Sequence, residues 1–326
     1  MNNIDKAPDY LNDPHLSEQT KEYLKVLNAG DKPVESLPVT EARKVLEDAQ
    51  SSVKIDLSGI EETEKTIAQD EYNIKLNIVR PEGNKDKLPV FIFIHGGGWV
   101  LGDYPTHKRL VRDLVVASGF CAVFVNYSPS PEAKYPKAIN EIYAATKWVS
   151  EHGDEINVDG KNMAIVGNSV GGNMAIVTSI KAKEEDGPKI KTQLLLWPVT
   201  DATFDWESYK LYGKQRFLTA PLMKWMFDQY TTNEEERKNK YLSPLQASVE
   251  ELRGLPPTLI TVAENDILRD QAEALGRKLD KAGVNVSTLR FNGVIHDWGM
   301  LNGYAKIPET CSLIGISAAI LKYYLQ

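Results

Sequence analysis

Nearly continuous apolar runs at residues 90–94, 121–125, 163–166, 194–197, 259–262 and 286–291 constrain this chain more than any other feature of its sequence. Such runs offer no face to water, so each reads as a strand covered on both sides. Most are separated by helix-period segments at about 106–117, 138–151, 170–183 and 269–282, and a last helix closes the chain at about 308–325. Strands that alternate with helices are joined by crossovers rather than hairpins, which predicts an α/β fold: one mostly parallel central sheet flanked by helices. No internal repeat, low-complexity tract or long linker divides the 326 residues, so they read as a single large domain, 1–326.

Two segments fall outside this alternation. The first fifty residues read as helices: Ser17 can cap one carrying Tyr23, Leu24 and Leu27, the stretch 30–38 breaks it, and Thr40 can cap a second through Leu46. Between about 200 and 243 no buried strand occurs, and Phe204, Trp206, Tyr209, Tyr212, Phe217, Trp225, Met226, Phe227 and Tyr230 crowd together, as in an inserted helical lid. From about Thr63 the period is two, with Tyr72, Ile74, Leu76 and Ile78 alternating up to Pro81 and a turn at 83–86, which predicts a hairpin-like strand pair.

Composition removes several classes of function. With 42% hydrophobic and 25% charged residues the chain is neither disordered nor fibrous, and a net charge of −7 spread along its length gives no footprint for nucleic acid. The most basic stretch, 237–240, follows Glu234, Glu235 and Glu236 and reads as a solvated face. Cys121 and Cys311 lie in apolar segments without a CxxC pair or a nearby histidine, so buried free thiols are expected and no metal. The start has no basic and apolar leader, and no stretch approaches the roughly 18 apolar residues that span a bilayer, so a cytoplasmic protein without a membrane partner is expected.

The chemistry concentrates at four places. The strand beginning at Met163 runs into Gly167-Asn168-Ser169-Val170-Gly171-Gly172 and then a helix, the context of a nucleophile elbow. A sharp strand-to-helix turn crowds the backbone, glycines two residues either side relieve it, and Ser169 is presented at a helix N-terminus where positive dipole favours a developing oxyanion. His95-Gly96-Gly97-Gly98-Trp99 follows the strand 90–94, and its unshielded N–H groups suit an oxyanion loop; it does not fit the phosphate-binding GxGxxG spacing. In this architecture the triad runs Ser, acid, His. His15, His95, His107 and His152 all precede Ser169, which leaves His296, after the strand 286–291. The acid has to follow the neighbouring strand, 259–262, which selects Asp266, with Glu264 and Asp270 as fallbacks; alternatively Asp266 only caps the helix near Leu268.

With these residues in place the chain resembles, over nearly its whole length, the hormone-sensitive-lipase-like family of α/β-hydrolases. The matching motifs, in order, are His95–Trp99, Tyr127-Ser-Pro-Ser-Pro-Glu132 (similar to the family's Y-R-L-A-P-E), Gly167–Gly172, Trp197-Pro-Val-Thr-Asp201, Asp266-Ile-Leu-Arg-Asp270 and His296. The resemblance implies the α/β-hydrolase fold and a serine carboxylesterase; the acidic balance and the lack of a secretion signal point to short- to medium-chain acyl esters, and the mechanism requires no cofactor. Ser169 would be the nucleophile, His296 the proton carrier and Asp266 the group orienting the imidazole, with the backbone N–H groups of Gly97, Gly98 and Val170 as the oxyanion hole. His95 would brace its loop, and Glu132 would buttress the site through hydrogen bonds.

The resemblance further implies a helical cap formed by about 1–50 and about 202–243 over an apolar acyl pocket. Leu218, Met223, Met226 and Phe227 are candidates to line it, and Trp99 and Tyr104 to contact substrate. Where relatives commonly carry G-D-S-A-G-G, this chain has Asn168 and Val170, from which altered rate or acyl preference follows rather than loss of chemistry. The Y-R-L-A-P-E match lacks its Arg and Leu. Homodimers occur in the family, though no stretch here identifies an interface. An amidase, an arylformamidase or an acyltransferase could use the same triad, and a non-catalytic small-molecule binder is a further alternative, against which the presence of His296 stands.

Overall fold

A computed structural model describes residues 9–30 and 32–326; of the N-terminal segment at 1–50, residues 1–8 and 31 lie outside it. Helices α1 (Glu18–Leu27) and α2 (Val39–Ser51) come first, followed by strands β1 (Ile60–Gln69), β2 (Tyr72–Pro81) and β3 (Leu88–Ile94). Alternation then sets in: α3 (Tyr104–Ser118), β4 (Cys121–Asn126), α4 (Lys137–His152), β5 (Val158–Asn168), α5 (Val170–Glu184) and β6 (Ile190–Leu196). Four short helices interrupt it, α6 (Glu207–Tyr212), α7 (Ala220–Tyr230), α8 (Glu234–Lys238) and α9 (Val249–Leu252). The chain closes with β7 (Thr258–Asn265), α10 (Arg269–Lys281), β8 (Val286–Ile295) and α11 (Pro308–Leu325).

The eight strands form one sheet in the order β1-β2-β4-β3-β5-β6-β7-β8. Only the β1–β2 and β2–β4 pairings are antiparallel, and all the pairings from β4 through β3 to β8 are parallel. Every residue of Val90–Ile94 and of Cys121–Val125 is fully buried, as strands covered on both faces require. Because parallel strands point the same way, the loops after β3, β5, β7 and β8 emerge at one sheet edge, where open α/β sheets place their sites. All four candidate motifs lie in those loops.

Local details depart from the sequence expectations. The hairpin turn falls at Asp70-Glu71, with Asp70 in the left-handed region (φ 52°), and the turn at 83–86 instead joins β2 to β3. Ser17 caps α1 by accepting from the Thr20 N–H, but α2 begins at Val39 with Pro38 as its N-cap, so Thr40 lies inside the helix. Pro38 sets that boundary through its fixed φ of −53°, which leads the chain directly into the first turn. Cys121 is buried and burial pushes its thiol up to about 12, whereas Cys311 is exposed, on the outer side of α11. Its segment is apolar on both sides, and only the packing of α11 through Leu313, Ser317 and Leu321 decides which face turns outward.

The two segments outside the alternation meet each other. Asp13 accepts from Arg216 at 2.8 Å in an ion pair with both side chains only 1% exposed, tying the N-terminal segment to the loop before α7. Among the described residues no helix is long and apolar enough to cross a membrane.

Candidate active site

Ser169 stands between β5 and α5 with φ 55° and ψ −121°, a backbone that L-residues adopt only under strain. Its N–H donates to Leu196 O at 2.8 Å, and its carbonyl accepts from Val199 and Asn173, each at 3.1 Å, so the sheet and the helix both hold the turn. The glycines are required by crowding. A Cβ at Gly167 would run into the backbone of Gly171, and one at Gly171 into the carbonyl of Ile94.

Three side chains then form a relay. His296 Nε2 lies 3.0 Å from Ser169 Oγ, and His296 Nδ1 lies 2.7 Å from Asp266 Oδ2. Asp266 Oδ1 accepts from the Leu268 N–H at 2.9 Å, so the carboxylate also caps the turn leading to α10 and is fixed from two sides. The fallback acids lie elsewhere: Glu264 meets His15 and the Gly293 N–H, both at 2.9 Å, and Asp270 accepts from Arg269 and from the Ser208 N–H. Burial on its own would lower the pKa of His296. The negative charges of Asp266 and Asp297, with the Asp266 hydrogen bond, outweigh it and hold the imidazole above the ordinary histidine value.

The loop after β3 curls beside the serine. Gly97 (φ 102°) and Gly98 (φ 64°) both require the freedom of glycine, and a Cβ at Gly98 would drive into the side chain of Met226. Both glycines line the same cavity as Ser169 and His296. Val170 is the first residue of α5, so its N–H has no acceptor within the helix. His95 packs parallel to Tyr127, 4.2 Å between ring centres, and its Nδ1 meets the Gly96 carbonyl at 2.7 Å. Burial lowers its pKa to about 4, with that hydrogen bond opposing, so this ring is neutral and faces its own loop.

The cavity holds about 360 Å³. Leu218 and Met226 line it, together with Phe217 and Leu222 from the insertion and Leu27, Val34, Ala42, Val45, Leu46 and Ala49 from the N-terminal segment. The other pocket candidates do not. Trp99 stacks on Tyr230 at 4.5 Å with Phe227 at its edge, an aromatic cluster that packs inside α7. Met223 is likewise buried and is not among the residues that line the cavity, and Tyr104 points its hydroxyl to Glu62 of β1. The N-terminal segment expected to contribute to the cap does line the cavity, but none of its lining residues is among the sequence candidates, although Ala42, Val45, Leu46 and Ala49 carry the i, i+3, i+4, i+7 spacing that marks one helix face.

Glu132 lies on the surface rather than within the site: its carboxylate takes a two-pronged contact from Arg43 of α2 (2.9 and 2.7 Å), which lowers its pKa to about 2. Arg43 also donates to the carbonyls of Val100 and Ser130, each at 2.9 Å, so one guanidinium ties α2 to the glycine-rich loop after β3 and to the loop after β4. The buried carboxylate that organises the latter loop is Glu141, which accepts from the Ser128 N–H and hydroxyl at 2.6 and 2.7 Å. Neither Arg43 nor Glu141 has a motif around it. Among the described residues no cluster of three or more histidine, cysteine or acidic side chains is arranged to hold a metal ion.

Comparison with known proteins places this geometry among relatives. A family described as alpha/beta hydrolase fold matches residues 91–300. The chain is similar to the crystal structure of a thermostable esterase from Pseudomonas putida ECU1011, with 54% identity, 97% of this chain and 99% of that one covered, and a TM-score of 0.95. It is 38% identical to a putative alpha/beta hydrolase, R526, of Acanthamoeba polyphaga mimivirus, over 86% of this chain and 80% of that protein. An ethyl acetate hydrolase of Pseudomonas putida is 29% identical over 87% of this chain and 92% of its own length.

Proposed function

This chain belongs to the α/β-hydrolase fold family, in its hormone-sensitive-lipase-like branch, and from that premise we propose that it is a serine carboxylesterase acting on short- to medium-chain acyl esters. The observation that carries the reading is the unbroken relay from Ser169 through His296 to Asp266, 3.0 and 2.7 Å, opening into an apolar cavity.

In this mechanism Ser169 Oγ attacks the ester carbonyl as its proton passes to His296 Nε2, and Asp266 stabilises the imidazolium that forms. The backbone N–H groups of Gly97, Gly98 and Val170 receive the oxyanion of the tetrahedral intermediate, at the positive end of α5. Collapse of that intermediate breaks the ester C–O bond, His296 returns the proton to the departing alcohol, and the acyl group stays on Ser169. Water then repeats the sequence with His296 as base, releasing the acid. No step calls for a metal or a cofactor.

An apolar chain of limited length suits the cavity, which holds about 360 Å³ and is walled by Ala, Val and Leu side chains of α2 and by Leu222 and Met226 of α7. That one relative is named for ethyl acetate supports small esters as the class to test first. The experiment is hydrolysis of chromogenic acyl esters from acetyl to long-chain by the wild type and Ser169→Ala in parallel. Serine-dependent turnover that peaks at short chains is expected. No turnover from folded wild type on any ester, with turnover on an amide bearing the same acyl group, would replace the esterase with an amidase.

A further inference from the structure

His296 faces two carboxylates, one at each ring nitrogen. Asp266 meets Nδ1 at 2.7 Å. Asp297, the next residue in the chain, has a left-handed backbone (φ 62°) that turns its side chain back, so that Oδ2 lies 3.8 Å from Nε2, the nitrogen that meets Ser169. A carboxylate free to move in that position would compete with the serine for the imidazole. This one is held, because its Oδ1 accepts from the indole of Trp197 at 2.7 Å and from the amide of Asn168 at 3.2 Å. Asn168 is in turn fixed by accepting from the Gly96 N–H at 3.0 Å, so the elbow, the oxyanion loop and the histidine loop share one buried network.

We propose that Asp297 is a positioning residue of the hydrolytic reaction, a second carboxylate that strengthens His296 as a base from the Nε2 side while Asn168 and Trp197 keep it just beyond hydrogen-bond reach. The proposal rests on the esterase reading of the preceding subsection. At this separation an opposite charge favours the imidazolium, the form that appears when Ser169 gives up its proton. The fixed distance leaves Ser169, at 3.0 Å, as the hydrogen-bond partner of Nε2.

The surrounding charges leave that effect intact. Among the described residues Asp266 and Asp297 are the charged groups paired with His296, and Asp297 lines the cavity together with His296 and Ser169. Against Asp297 stand His107 of α3, through Asn168, and Tyr23 of α1, whose phenol is raised to about 12 by burial and by the charge of Asp297. His107 is neutral: burial, together with His95 and Arg109, holds its pKa well below the usual value. Arg109 spends its guanidinium on Asp113 and on the carbonyls of Gly299 and Leu301. Among the described residues the ion-pair partner of Asp297 is therefore His296.

The same geometry explains why the elbow of this chain carries asparagine. A carboxylate at 168 would stand at hydrogen-bond distance from Asp297 with like charge, whereas the amide supplies a donor in the same shape. Positions 168 and 297 are thus coupled, and one negative charge serves both.

The test is titration of the His296 ring by NMR in the wild type and in Asp297→Asn, with His296→Ala identifying its signals, alongside the pH profile of kcat/KM on an acetyl ester. In Asp297→Asn both the ring pKa and the acid limb are expected to move down by about 1 unit. A folded Asp297→Asn whose ring pKa does not move overturns the proposal. Should that variant not fold, the charge swap decides: Asn168→Asp is expected to lose at least about tenfold in kcat/KM, and Asn168→Asp with Asp297→Asn to recover most of it. A double variant no better than Asn168→Asp also overturns it. Absence of Ser169-dependent turnover in the wild type would instead remove the esterase reading, and the ring titration would still report whether Asp297 sets the basicity of His296.

Discussion

Ser169, the proposed nucleophile, stands in a backbone conformation that costs about 1–3 kcal/mol for a residue with a Cβ. Ser169→Gly is therefore expected to raise the unfolding free energy by up to about that amount, read from denaturant midpoints, while abolishing hydrolysis. Ser169→Ala keeps the strain and is expected to lose at least about 10⁴-fold in kcat with stability nearly unchanged; a residual rate within tenfold of the wild type would remove Ser169 as nucleophile. His296 adds a pH signature. In the proposed role of base it would work only when neutral, and its pKa lies above the ordinary 6.5, so kcat/KM is expected to fall as pH drops through a midpoint higher than 6.5. An acid limb centred well below 6.5 would contradict the double-carboxylate environment.

At the scale of elements, α2 matters more than its place near the chain start suggests. Its inner stripe walls the cavity, Gln50 at its far end accepts from the Asn302 N–H at 2.8 Å and donates to Thr106 O at 2.6 Å, and Arg43 fastens its middle. Arg43→Ala removes a set of charge-assisted hydrogen bonds, each worth about 1.5–3 kcal/mol at most and less where solvent reaches them. The helix is expected to loosen: kcat/KM should fall about tenfold and proteolysis within the first fifty residues should quicken, with sheet circular dichroism unchanged. Equal kcat/KM for Arg43→Ala and wild type would show that α2 does not shape the site. Helices in this chain were legible from their apolar spacing. Their contacts were not, because Arg43 and Gln50 act on partners 56 to 252 residues away, and nothing around Glu141 marks it as the residue that holds the loop at Ser128.

For the whole molecule, burial of neutral histidines links folding to pH. His95 and His107 are fully buried and resist protonation, His95 down to about 4, while in the unfolded chain both take up protons near 6.5. Below about pH 6.5 the unfolded state binds more protons, so stability is full above that value and declines between about 6.5 and 4. His95 alone contributes about 3 kcal/mol to that decline, since one pKa unit corresponds to about 1.4 kcal/mol. His296 has the opposite sign, because its raised pKa favours the folded state at low pH and that share is lost as pH rises through it. Two histidines against one make the acid side the weaker, and urea midpoints measured from pH 8 to pH 5 should fall; a rise over that range would mean that one of the two rings is charged in the folded protein.

From the sequence alone came the alternation that dictates a parallel sheet, the glycines without which the elbow cannot turn, and the order Ser169, Asp266, His296. These are legible because each is a local demand: a strand buried on both faces excludes polar residues, and a tight turn excludes side chains. What surrounds the relay was decided by tertiary structure. Whether Trp99 packs against Tyr230 or meets substrate, whether Glu132 or Glu141 enters the protein, and whether Asp297 faces water or Nε2 of His296 all depend on which distant segments close over them. An apolar or acidic residue satisfies the same sequence pattern in either place, and only the packing of α1, α2 and α7 on the sheet edge separates core from cavity wall.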